Sequence, residues 1–156
     1  IDQERIWVVG YEMGAFVAMH LAALEARPAG YGLVCPPLPF RLDTDIQETG
    51  GVLRWGREMM LAPRLALFAG NETRIPYDLD EALAAVAPKP IVLVTPTHDR
   101  FAPPDKMDAA IAALRKHYAA AGAEDNLIRV SPKAYNHFDN TMQAVLLEAM
   151  MTMVKK

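Results

Sequence analysis

The sequence predicts an α/β protein, a parallel sheet with helices on both faces. Three observations carry that expectation. Short apolar runs rich in β-branched residues recur at 6–9, 31–35, 91–95 and 127–131, and helical patterns lie between them. The first three runs lack polar alternation, as strands covered on both faces do. The intervals between runs are too long for hairpins and suit crossover connections.

Asp2 to Arg5 is a polar lead-in to Ile6-Trp7-Val8-Val9, an apolar strand expected to be covered on both faces. Met13 to Arg27 is Ala-rich and apolar nearly all round, a helix stopped by Pro28. Tyr31 to Cys35 is a second buried strand, ended by Pro36-Pro37, and closes a βαβ unit. Residues 38–79 break the rhythm. Gly50-Gly51, Gly56, Gly70, Pro63 and Pro76 interrupt helical stretches near 52–61 and 64–68. A segment of this length between core strands reads as an insertion over the sheet's edge, where pockets are built. Asp80 to Ala87 is a helix with an acidic first turn. Ile91 to Thr95 is the third buried strand, followed by the loop Thr97-His98-Asp99-Arg100. Asp105 to Ala121 is a helix stopped at Gly122. Leu127 to Ser131, partly polar, is a fourth strand near an edge, and the loop Tyr135-Asn136-His137-Phe138 follows it. Thr141 to Val154 is a closing helix whose methionines (Met142, Met150, Met151, Met153) suit core and interface.

The chain has 156 residues, one domain's worth. Its net charge of −3 and the lack of any Lys/Arg run argue against nucleic acid or an anionic membrane surface as partner. No run of 18 apolar residues is present. Cys35 is the only cysteine, so it has no internal disulfide partner and reads as a buried free thiol, compatible with a reducing compartment. No leader is visible. The compartment is open, with the cytoplasm favoured if no targeting segment has been removed. No cofactor is expected.

The chemistry centres on Gly10-Tyr11-Glu12-Met13-Gly14, directly after the first strand. It has the form G-x-S-x-G with glutamate in place of serine. In that motif a strand runs into a sharp turn, the central residue protrudes, and a helix starts at once. Both glycines are expected to let strand and helix approach without a Cβ between them. Glu12, Asp99 and His137 then stand in three loops at the carboxyl ends of three parallel strands, the rim where open α/β sheets bind ligands.

The stretch Ile1 to Gly14 resembles the approach to the nucleophile elbow in bacterial α/β-hydrolases, nearest to the esterase and acyl-peptidase-like branch that includes acetyl-xylan-esterase-like proteins. Glu48-Thr49-Gly50-Gly51, Gly70 to Asp78, Ala87 to Arg100, Gly122 to Asp125 and Tyr135 to Phe138 extend the likeness over nearly the whole chain. The resemblance implies an α/β-hydrolase-like fold that is incomplete. Residues 1–156 would be the carboxyl-terminal half of one domain, the fifth to eighth of eight strands, with a cap-like insertion at about 38–79. It further implies Glu12 at the nucleophile position, Asp99 as the acid, His137 as the base, and the Met13 backbone N–H as one of two oxyanion-hole donors. The substrate class implied is a small-molecule carboxylic ester.

A glutamate has no proton for His137 to remove, so an ion pair between Glu12 and His137 is expected instead. Three readings stay open: a silenced hydrolase, a hydrolase using Glu12 or an activated water, and a Glu12–Asp99–His137 metal site. A non-catalytic binding module is the alternative outside enzymes. Glu12 also suits a helix N-terminus on electrostatic grounds alone. Tyr11 is expected to line a substrate pocket or to pack between loops. His98 reads as a neighbour of the acid, His20 as a core histidine with its bonds satisfied, and His117 as a surface residue. Arg54, Trp55, Arg57, Arg74 and Tyr77 fall in or beside the insertion with nothing to choose among them. An apolar first strand with no partner on its outer side is expected to drive association, either of copies or with the missing half.

Overall fold

The computed structural model describes residues 2 and 5–154. Four strands, β1 (Trp7–Tyr11), β2 (Gly30–Val34), β3 (Ile91–Val94) and β4 (Leu127–Val130), form one sheet in the order β1-β2-β3-β4, and every pair is parallel. The expected strands are all present, with ends shifted by one or two residues. The helices are α1 (Met13–Leu24), α2 (Gly51–Leu53), α3 (Leu79–Ala84), α4 (Pro104–Ala120) and α5 (Asn140–Val154).

Strand alternation divides the core into two layers. Tyr31, Leu33, Ile91 and Leu93 face one way, onto Phe16 and Met19 of α1, Leu79 and Leu83 of α3, and Met107 and Leu114 of α4. Val34, Val92 and Val94 face the other way, onto Met142, Leu146 and Met153 of α5. Period-2 strands between helices on both sides therefore produce the expected three-layer architecture. Gly32 is where α5 comes nearest. A Cβ there would lie 3.0 Å from the Leu146 side chain and 3.3 Å from Val9.

Three expectations are corrected. α3 spans Leu79–Ala84 and does not run on to Ala87. α1 ends at Leu24 rather than Arg27, because Glu25 is already extended (φ −122°, ψ 116°) and its carbonyl accepts from the Tyr31 hydroxyl. The first strand is not covered on both faces. Ile6 and Val9 are exposed, because β1 is an edge strand. β4 is the other edge, as its partly polar sequence predicts.

The segment between β2 and α3 is compact. α2 runs straight into a π-helical turn, Arg54–Glu58, and short 3-10 turns follow at Pro63–Phe68 and Glu72–Arg74. Asp78 anchors its end. The Asp78 carboxylate accepts from the backbone N–H groups of Phe40 (2.6 Å), Arg41 (3.1 Å) and Leu79 (2.8 Å), and Glu81 completes a capping box. Among the described residues, no helix is long and apolar enough to cross a membrane.

Candidate functional site

β1 delivers the chain to Glu12 and α1 leaves from it. Glu12 has φ 46° and ψ −105°, a left-handed φ that costs a non-glycine residue on the order of 1–3 kcal/mol. The corner is held by Glu12 N–H donating to Val34 O (3.0 Å) and Phe16 N–H donating to Glu12 O (2.9 Å). Gly10 makes the corner possible, since a Cβ there would lie 2.1 Å from the Gly14 carbonyl oxygen. Gly14 is different from the expectation. A Cβ on it meets nothing within 4 Å, so only the first glycine serves close approach.

The Glu12 carboxylate is gripped from two sides. Arg54 donates Nη2–H to Oε1 at 3.2 Å, and Asn136 donates Nδ2–H to the same oxygen at 2.8 Å. Asn136 cannot rotate its amide without loss, because the Tyr11 hydroxyl donates to its Oδ1 at 2.7 Å. The same Nδ2 reaches Asp99 Oδ1 at 3.4 Å, so one amide bridges both carboxylates. Asp99 is 3% exposed and also accepts from Phe101 N–H (2.9 Å). Burial pushes its carboxyl pKa up, against the pull of those donors and of the Arg54 charge.

Arg54 is held as firmly as what it binds. Its side chain is 8% exposed, and its guanidinium carbon lies 3.6 Å from the centroid of the Phe101 ring and 5.1 Å from that of Trp55. The π-helical turn that carries it begins after Gly50 and Gly51, both at positive φ, and a Cβ on Gly50 would press on Arg54 Cβ at 2.9 Å. Buried Asp43, which accepts from the Thr49 hydroxyl, braces the preceding loop.

The loops after β3 and β4 run side by side. Thr97 and His98 N–H donate to Pro132 O (2.9 Å) and Ala134 O (3.0 Å), and a parallel bridge joins His98 to Tyr135. That pairing sets Asn136 beside Asp99. It turns His137 elsewhere. His137 is exposed and lines a cleft of about 240 Å³ with Ala134, Tyr135 and Met142. Among the described residues its ring bonds neither Glu12 nor Asp99, and the expected Glu12–His137 ion pair is replaced by Glu12–Arg54. A larger cleft of about 650 Å³ is lined by Asp99 together with Gln47, His98, Arg100 and Pro103.

The remaining candidates separate cleanly. Tyr11 spends its hydroxyl on Asn136 and stacks on Phe138 at 5.4 Å, and burial with the Glu12 charge pushes its pKa up to about 12. Met13 opens α1, and that helix end has no side-chain cap. His20 is satisfied on both nitrogens, by Phe16 O (2.8 Å) and the Tyr77 hydroxyl (2.7 Å), which also uses Tyr77 inside the core layer. Trp55 stacks on Phe16 at 4.8 Å. His98, His117, Arg57 and Arg74 are exposed. Cys35 is buried and free, and burial raises its thiol pKa, with the Asp99 and Glu12 charges adding to the effect. Among the described residues no group of three His, Cys, Asp or Glu is placed to hold a metal ion. Asn136 escapes sequence reasoning, because an asparagine beside a loop histidine carries no signal of its own. Arg54 stands out only through its long-range contacts.

No family model matches the chain. Among curated proteins, "Putative hydrolase YtaP" of Bacillus subtilis is 27% identical over 143 residues, which is 91% of this chain and 43% of that one. Among solved structures, a family 15 carbohydrate esterase from a marine bacterial metagenome matches with a TM-score of 0.81 and 16% identity, over 96% of this chain and 42% of that one. A glucuronoyl esterase of the same family from Caldicellulosiruptor kristjansonii gives 0.78 and 17%, over 96% and 43%. An esterase from Pyrococcus furiosus gives 0.60 and 18%, over 97% and 53%.

The fold is α/β-hydrolase-like. The chain spans less than half the length of YtaP and of the two family 15 esterases.

Proposed function

We propose that this chain carries the nucleophile-elbow half of a carboxylic-ester hydrolase site, silenced by Glu12. The observation that supports the reading best is the backbone at Glu12. A non-glycine residue held at φ 46° between a strand and a helix is what an elbow needs to present a nucleophile. The likeness to YtaP and to solved esterases supports the same lineage. Residues 38–79 act as the cap-like insertion, and strands beyond β1 complete the domain.

The chemistry follows from the side chains. With serine at position 12, His137 takes the hydroxyl proton and Asp99 steers and stabilises the imidazolium. The ring of His137 must first turn from its own cleft toward residue 12. The Met13 N–H stabilises the developing oxyanion. With glutamate there is no proton to take, and attack by the carboxylate on an ester would give an anhydride. The carboxylate is also engaged by Arg54 and Asn136. With Glu12 in place the site holds a small ester without turning it over.

The test is p-nitrophenyl acetate turnover by this chain and by Glu12→Ser. Turnover at least about a hundredfold higher in the serine form, abolished again by His137→Ala, is the expected result. Fluorophosphonate labelling should appear only with serine. Equal turnover by both forms would overturn silencing, and labelling of neither would remove the elbow role.

A further inference from the structure

Two side-chain donors converge on the Glu12 carboxylate at the head of α1, where a helix also begins. Arg54 supplies a guanidinium, Asn136 supplies an amide N–H, and the uncapped first turn of a twelve-residue helix supplies backbone N–H groups. The Arg54 side chain is 8% exposed, and its guanidinium is fixed between Phe101 and Trp55 before any ligand arrives. Of its five N–H donors only one, on Nη2, makes a hydrogen bond among the described residues. A largely buried cation is costly without a counter-charge, so an anion at this point completes it. Here the anion is a side chain of the same chain, on a strained residue that is itself 27% exposed.

We propose that the head of α1 is a carboxylate-binding site, built around Arg54 and occupied in cis by Glu12. The ligand class is a monocarboxylate, such as the acid half of an ester. Arg54 is the recognition residue, because a planar guanidinium matches a free carboxylate with two parallel N–H bonds, whereas the tethered Glu12 carboxylate accepts one from it. Asn136 fixes the second direction, with its orientation set by Tyr11. Glu12 thus does two things: it removes the nucleophile, and it keeps free acids out of the pocket that the nucleophile would serve. The binding involves no turnover, so it stands or falls apart from ester hydrolysis.

Removing the internal ligand unmasks the site. In Glu12→Gly the left-handed φ suits the new residue and the carboxylate is gone. Sodium acetate should raise the Tm of this variant saturably, by about 2–4 °C at roughly five times its Kd, with sodium chloride and acetamide as controls. Wild type should bind acetate at least tenfold more weakly. Arg54→Gln in the Glu12→Gly background should weaken acetate at least tenfold. Should that double variant not fold, the Arg54 Nε resonance in Glu12→Gly gives the same answer, moving on titration with the Kd read from Tm. Glu12→Ser replaces Glu12→Gly if the glycine loosens the corner. Equal acetate responses in wild type and the position-12 variant, or an unmoved Arg54 resonance, would overturn the proposal.

Discussion

Asp99 shows how one buried carboxyl couples the site to stability. Desolvation holds its folded pKa above the ordinary value, so the folded form keeps a proton that the unfolded chain has already released. The folded state binds more protons across that window, and its contribution to stability therefore falls as pH rises through it. The window begins near the unperturbed aspartate value of about 3.9. Asp99→Asn has no proton to lose. Its stability relative to wild type should increase as pH rises from about 3.5 to neutrality, measured by urea denaturation at each pH. A difference that stays flat with pH would mean that the carboxyl titrates alike folded and unfolded. Comparing the two proteins is what isolates Asp99, because Glu25 and Glu81, both shifted downward by arginine partners, slope the opposite way in each.

At the scale of elements, Gly10 is the one of the two motif glycines that the corner between β1 and α1 requires. Gly10→Ala pushes a Cβ into the Gly14 carbonyl and the Ala15 nitrogen, backbone that cannot yield without moving the helix. Its expected cost is about 3 kcal/mol or more, read as loss of stability in denaturant. Gly14→Ala meets open space and gains helix propensity, so its effect should be stabilising and under about 1 kcal/mol. This asymmetry marks what the sequence can and cannot carry. Apolar runs and breakers such as Pro28 and Gly122 locate strands and helices, because both signals are local. They also bring Glu12 and Asp99 to one rim. Which of two motif glycines is squeezed depends on the crossing of strand and helix, which local sequence does not encode. The same holds for Asn136 taking the position expected of His137. That choice is made by the pairing of the loops after β3 and β4, where Thr97 and His98 bond the backbone of Pro132 and Ala134.

For the whole molecule, β1 leaves one edge of the sheet unpaired among the described residues. Val9 on β1 is 44% exposed, and Met13, Val17, Leu21 and Leu24 lie on one stripe of α1 at helical spacing, with Val17 52% and Leu24 86% exposed. On the opposite face of the sheet, Leu147, Met151 and Val154 form a second exposed stripe along α5. An open strand edge with apolar stripes beside it is a template for pairing. Its expected occupant in the isolated chain is a second copy. For the isolated chain this predicts a concentration-dependent mass above the monomer in sedimentation equilibrium. Val17→Glu with Leu24→Glu places two charges on the α1 stripe at positions that already face solvent, so helical circular dichroism should be kept while the mass falls toward the monomer. If wild type sediments as a monomer at high concentration with its fold intact, the stripe does not drive self-association. If the double variant keeps the wild-type assembly, α1 lies outside the interface, and the contact must run through α5 or the strand edge instead.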